Sequence, residues 1–339
     1  MRILIFPLLL TLLATSAPAA PLLFEGFNYT VGQNLSNQVN AASGNTWLRP
    51  SAPTGATQII AAGDVNYPGL LATPASNSLS VPRPPSGTTV QNRLNVPGRP
   101  YSRAPGTTLY FSFVMEMTSF TTFAPPGGNP SDTKNDAAAK NATHRKGGWI
   151  AGLHGGAAST STAMSATNGF AAPIFVRRDL DYTVLGTDGT LGTQTGRYEI
   201  GILKQASTPA TSAEQEAAFN IAGSFGVGDE VFVVGQYQFV DAAAGGFGDI
   251  ARLWINPTPG VPLGVLTPTL VAPATLPNMG GTLALESFHV RGDTNSPGNF
   301  LLDNIRVGLT YRDVVVPEPA ALALLGIGVA IVGLRRRLR

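Results

Sequence analysis

Apolar and polar residues alternate along much of this chain. In TLYFSFVMEMT, Leu109, Phe111, Phe113, Met115 and Met117 share one face, while Tyr110, Ser112, Val114, Glu116 and Thr118 share the other. That is the period of a half-buried antiparallel strand. Similar runs recur at 197–203, 229–240, 251–256, 282–291 and 299–308, separated by Gly, Pro, Asn and Ser clusters that read as turns. Only 135–140 and 211–219 suggest short helical turns. The stretches 51–105 and 118–146 are rich in Pro, Gly, Ser, Thr and Asn and read as long loops. The pattern predicts an all-β body over 21–314, an antiparallel sandwich or jelly roll, in one domain.

The two ends have a different pattern. The opening MRILIFPLLLTLLATSAPAA places Arg2 before an apolar run and small residues at Ala17 and Ala19. This is the layout of a secretory signal peptide over 1–20, and it predicts export. At the other end, Pro317, Glu318 and Pro319 precede an apolar run from Ala320 to Leu334 and then Arg335, Arg336, Arg337 and Arg339. The run is short against the roughly 20 residues that span a bilayer, so flanking side chains would have to snorkel. It is expected to form a single membrane-spanning helix, and the arginines would hold its end on the cytoplasmic side.

That tail, residues 317–339, resembles the PEP-CTERM sorting signal of Gram-negative bacteria. The resemblance implies passage through the export machinery, transient anchoring in the inner membrane, and recognition and cleavage by an exosortase. The body would then be released to the cell surface or extracellular matrix.

Processing changes the charge balance. The whole chain carries a net +2, but without the five terminal-segment arginines and Glu318 the body has 17 basic against 19 acidic side chains. A nucleic-acid partner, which needs a basic surface stripe, is not expected. The absence of cysteine excludes disulfides and thiol chemistry. The three histidines, His144, His154 and His289, show no metal-ligand spacing.

A second resemblance lies within the body. The stretch 229–260, with its long strand, Gly-rich turn, Asp249 and Leu253-Trp254-Ile255-Asn256-Pro257, resembles a hairpin of concanavalin A/LamG-like jelly rolls. FLLDNIRVGLTYRDV is similar to their last strand and LFEGFNYTVG to their first, which would pair beside it. Independently of that likeness, Phe232, Val234, Tyr237 and Phe239 are expected to face the core, with Trp254 across the hairpin.

Members of this fold include glycoside hydrolases, whose retaining forms need two carboxyl groups about 5–5.5 Å apart. No Glu-x-Asp-x-x-Glu run is present; Glu116, Glu199 and Glu286 each stand alone on a strand and read as solvated outer-face residues. The body is therefore expected to be non-catalytic and without a cofactor. Trp47, Tyr101, Trp149 and Tyr182 are candidate sugar-binding aromatics, and His144 to Trp149 is the one local basic and aromatic cluster. Asp179, Asp181 and Asp249 are candidate oxygen ligands for a structural calcium, although turn capping explains them as well. Arg291-Gly292-Asp293 spells an adhesion tripeptide. The expected function is an exported surface or matrix protein whose body binds polysaccharide, the alternatives being a carbohydrate-active enzyme and a purely structural biofilm component.

Overall fold

The computed structural model describes residues 20–49, 57–71, 77–85, 89–120, 147–156, 169–180, 194–205, 217–219, 223–240, 246–280 and 284–316. Residues 1–19, within the expected signal peptide, and 317–339, the sorting tail with its expected helix, lie outside them. Fourteen strands follow in chain order: β1 (Leu23–Glu25), β2 (Ile59–Ala62), β3 (Asn77–Val81), β4 (Thr89–Asn95), β5 (Thr108–Phe120), β6 (Gly148–Gly155), β7 (Phe170–Leu180), β8 (Gln194–Ile202), β9 (Phe225–Gly226), β10 (Glu230–Gln238), β11 (Ile250–Ile255), β12 (Leu270–Val271), β13 (Leu285–Asp293) and β14 (Gly298–Gly308). They form two antiparallel sheets. An eight-stranded sheet runs β12-β11-β10-β5-β14-β3-β2 with β1 also on β14, and a six-stranded sheet runs β4-β13-β6-β7-β8-β9.

The inner faces meet in one large core. Leu109, Phe111, Phe113, Met115 and Met117 all lie in it, as the alternation on β5 requires, against Phe288, Val290, Ile150 and Ile200 of the other sheet. The first strand pairs with the last, Leu23 opposite Val307, as expected. Asn256, at φ 50°, ends β11 before Pro257.

Three expectations are corrected. The stretch 51–105 contains β2, β3 and β4, not only loops. The outer face of the eight-stranded sheet is solvated only in part. A second apolar layer of Val65, Leu70, Tyr311, Val314 and Val315 covers Tyr110, Val114, Phe232, Val234 and Trp254 there. On β10, Phe232 and Val234 therefore face this layer, whereas Tyr237, and Phe239 just beyond the strand, face the main core. Third, the last strand stops at Gly308 and the chain turns into a short helix, α1 (Tyr311–Val314).

The helix is held by local chemistry. Thr310 caps it reciprocally with Asp313, and the Thr310 amide donates to Asp313 Oδ2 at 2.8 Å. Ser112 Oγ, on the sheet beneath, donates to the Val314 carbonyl at 2.8 Å.

Candidate functional site: a histidine and arginine cluster on the six-stranded sheet

Register decides which side chains share the outer face of the six-stranded sheet. Directly opposed residues in an antiparallel pair point the same way. Gln91 faces Arg291 and Arg93 faces His289 between β4 and β13. Ser287 faces His154 between β13 and β6, and His154 faces Phe170 between β6 and β7. Trp149 also belongs to this face, opposite Phe175. Trp149 and His154 are an odd number of residues apart, so strict alternation would send them to opposite faces. Register shifts between Trp149 and Leu153 reverse the parity and bring both outward.

The result is a compact group of two imidazoles and two guanidiniums around aromatic rings. Arg93 Nη1 lies 3.1 Å from His154 Nδ1. A guanidinium only donates, so His154 Nδ1 accepts and the ring proton sits on Nε2. Phe170 stands edge-on to both His154 and His289, with centroids 4.8 and 4.7 Å away. The Arg291 guanidinium lies 4.0 Å above the Trp149 ring and pairs with Asp293 Oδ2 at 3.0 Å. Gly152 sits opposite His289, where a Cβ would approach the imidazole Cε1 to 3.1 Å. Glycine there leaves the ring its place.

Gln91 Oε1 and His154 Nε2 are buried in this group without a hydrogen-bond partner, and the backbone of Gly152 is the one partner that the His289 ring approaches. Buried polar groups are nearly always paired, because leaving one unmet costs about 1–3 kcal/mol. Burial, reinforced by Arg93, lowers the His154 pKa to about 4. Burial, then His154, Arg291 and Arg93, holds His289 well below the usual imidazole range. Both rings are thus neutral at neutral pH. The Arg93 and Arg291 guanidiniums supply the positive charge of the face.

The carboxylates on this face are already engaged. Glu199 Oε2 accepts from Arg177 Nε at 2.6 Å, both side chains being buried, so Glu199 is not a solvated residue. Asp293 is held by Arg291, which closes Arg291-Gly292-Asp293 on itself within β13 and removes it as an exposed adhesion tripeptide. Elsewhere, Glu286 pairs with Arg99 at 2.9 Å, and Glu116 is half-buried beside Glu230.

The candidate aromatics separate. Trp149 joins the cluster. Trp47 is fully buried, and its Nε1 donates to Glu25 Oε2 at 2.8 Å, so it is a core residue rather than a sugar platform. Tyr101 is half-buried and its hydroxyl donates to the Pro97 carbonyl. Tyr182, Asp181 and the Asp179 side chain lie outside the described residues, as does His144. Asp249 is fully buried; Arg103 Nη2, the Tyr237 hydroxyl and the Val240 amide donate to it at 2.8, 2.9 and 3.0 Å. Protein donors occupy the oxygens that a calcium would need. Among the described residues no group of three His, Cys, Asp or Glu side chains is placed to hold a metal.

Sequence reasoning missed His154, His289, Arg93, Arg291 and Gln91. The available signal was the alternation in VQNRLN and SFHVR, where Gln91 and Arg93 alternate with Val90 and Leu94, interrupted by Asn92, and His289 and Arg291 alternate with Phe288 and Val290.

Several solved structures are similar in fold. The alginate lyase Aly36B, in a mutant complexed with alginate trisaccharide, is 12% identical with a TM-score of 0.40, covering 87% of this chain and 100% of that one. The carbohydrate recognition domain of Emp46p is 12% identical at 0.35, covering 85% and 100%. Peanut lectin is 11% identical at 0.34, covering 84% and 96%. At such scores the likenesses carry nothing about function. No curated protein matches the chain by sequence. Among the described residues no helix is long and apolar enough to cross a membrane. Residues 315–337, starting with the two valines that close the described fold, match the PEP-CTERM protein-sorting motif, which marks an exported protein held at the membrane until exosortase processing.

Proposed function

We propose that the body of this exported protein is a non-catalytic binding module for an anionic polysaccharide, at home on the cell surface or in the extracellular matrix. The observation that carries the reading is the pair of partnerless atoms on Gln91 and His154, beside the His289 ring and between the guanidiniums of Arg93 and Arg291. A carboxylated sugar supplies what that face lacks: an anion for the arginines and hydroxyls for the imidazole and amide atoms. Trp149, itself buried, holds the Arg291 guanidinium 4.0 Å over its ring and so fixes where that charge sits. The group is almost closed, and the Arg291 side chain, 16% exposed at its rim, is where an acidic polymer would make first contact.

A second reading, elimination across the glycosidic bond, rests on one specific feature. The neutral His289 imidazole, opposite Arg93 in the β4–β13 register, can accept the proton next to a carboxylate that the guanidinium neutralises, whereas His154 cannot because its Nδ1 already accepts from Arg93. Hydrolysis by a carboxylate pair has no such support, since Glu199 and Asp293 are both ion-paired.

Native gels cast with acidic and neutral polysaccharides test both readings. Binding predicts retardation by an acidic polymer, lost in Arg93→Ala and Arg291→Ala, with no shortening of the polymer. New unsaturated chain ends, seen as ultraviolet absorbance, would replace the binding reading with the lyase. Free migration through every gel would refute both.

A further inference from the structure

The sorting motif does not begin on a free linker. Val315 and Val316, its first two residues, belong to the folded body: they are 3% and 8% exposed, and the Val316 carbonyl accepts from the Leu71 amide at 3.0 Å. Arg306 Nη2 in turn donates to the Leu71 carbonyl at 3.0 Å. The chain therefore leaves the sandwich at one fixed point on the outer face of the eight-stranded sheet. The apolar run from Ala320 starts four residues later. Four residues reach at most about 14 Å, so a body attached there stays close to the bilayer.

Exposed apolar side chains are spread over the outer face from that exit to β12, four strands away. Leu71 is 38% exposed, Leu309 48%, Val271 50% and Val265 74%. Val265 follows Leu263 in a 3-10 turn, and Leu263, Leu309 and Arg312 border one open groove with Tyr110 and Tyr311. Val271 shares the outward side with Arg252, Gln236 and Tyr110, which are linked by register and hydrogen bonds. Charge is graded along the face as well. The exposed Arg312 stands at the exit end, whereas Glu116 and Glu230 are paired about 20 Å away, six residues along β5 from Tyr110 at 3.3–3.4 Å each.

We infer that Leu71, Val265, Val271, Leu309 and Arg312 form a membrane-contact surface, resting on an anionic bilayer while the precursor is anchored. Interfacial attachment combines buried apolar area with attraction of cations to anionic lipid headgroups. The patch is small, but the tether at Val316 makes its contact intramolecular, and a high effective concentration compensates for weak intrinsic affinity. The histidine and arginine face, on the other sheet, then points away from the membrane. The inference rests on the anchored state and stands whether or not that face binds polysaccharide.

The chain has no cysteine, so single cysteines report position cleanly. Val265→Cys, Leu309→Cys and, as a control, Val39→Cys are each labelled with bimane in the full-length protein. Val39 is exposed and lies in the hairpin next to the Leu48 to Arg93 bridge, at the edge of the six-stranded sheet. The proteins are reconstituted into phosphatidylcholine and phosphatidylglycerol vesicles carrying spin-labelled lipid, with insertion confirmed by flotation. The expected result is loss of fluorescence at 265 and 309, none at 39, and weaker loss at 265 when Arg312→Glu is added. Unquenched labels at 265 and 309, or equal quenching at all three positions, would overturn the proposal.

Discussion

Arg93 Nη1 and His154 Nδ1 meet at 3.1 Å within the buried face of the six-stranded sheet, so a permanently charged group abuts a ring that must stay neutral. The consequence is a defined acid response. His154 has a folded pKa of about 4, below the ordinary 6.5. On acidification the unfolded chain takes up its proton first, so stability is complete above pH 6.5 and is lost as pH falls towards 4. At 1.36 kcal/mol per pKa unit, His154 alone contributes a loss of about 3 kcal/mol over that window. His289 shifts in the same direction and adds to it. Urea titrations between pH 7 and pH 4 should show this fall, and His154→Phe should flatten it. A wild-type midpoint constant across that range would contradict the placement of these rings.

The Arg177 and Glu199 pair predicts a different pattern. Both side chains are under 8% exposed, the contact is 2.6 Å, and the Arg177 guanidinium also lies 4.2 Å over the Phe219 ring. Breaking a buried pair leaves an uncompensated charge, costing about 3–5 kcal/mol. Glu199→Ala should therefore destabilise severely, and the double variant Arg177→Met, Glu199→Leu should recover most of the loss. A double-mutant cycle read by urea unfolding decides the matter, and additive single effects would show the pair to be inert.

Trp47 was a natural candidate for sugar binding from its loop-like surroundings, and its contacts predict otherwise. Glu25 Oε2 accepts from Trp47 Nε1, the Tyr29 hydroxyl at 2.6 Å and Asn40 Nδ2 at 3.0 Å, while Oε1 accepts from the Phe27 amide at 2.8 Å. Trp47→Phe should cost about 1–3 kcal/mol by leaving one acceptor site of a buried carboxylate unmet. Retardation by acidic polysaccharide should be unchanged. Loss of retardation with unaltered stability would return Trp47 to the binding surface.

The sheets were legible wherever one face is apolar throughout, as at Leu109 to Met117. Strand β4 was not, because Asn92 on its inward side interrupts the apolar set and leaves only Val90 and Leu94 to mark it. The second apolar layer was hidden for another reason. Tyr110 and Val114 look like the outer positions of a half-solvated sheet, and Phe232 and Val234 like part of the main core, until Tyr311, Val314 and Val315 fold back over all four. The candidate site needed two pieces of information that periodicity does not hold. One is the pairing of β13 with both β4 and β6. The other is the register shift that puts Trp149 and His154 on one side. Histidines far apart in sequence carry no mark of their meeting.

Gly235 gives a test of the main core itself. It lies within β10, directly opposite Phe111, where glycine is ordinarily a weakness because it has no side chain to pack. Here the Phe111 ring occupies the missing side chain's place: a Cβ on residue 235 would lie 2.1 Å from Phe111 Cζ. Phe111 is fully buried against Phe113 and Phe288, with ring centroids 6.5 and 5.7 Å away, so it has nowhere to move without displacing its neighbours. Overpacking of this kind costs about 1–3 kcal/mol, sometimes more. Gly235→Ala should lower the urea midpoint by that amount at an unchanged slope. Gly264→Ala, where nothing lies within 4 Å of the new methyl, should stay within about 0.5 kcal/mol of the parent. Equal effects at the two glycines would mean that backbone freedom, rather than the Phe111 ring, sets the requirement for glycine at 235.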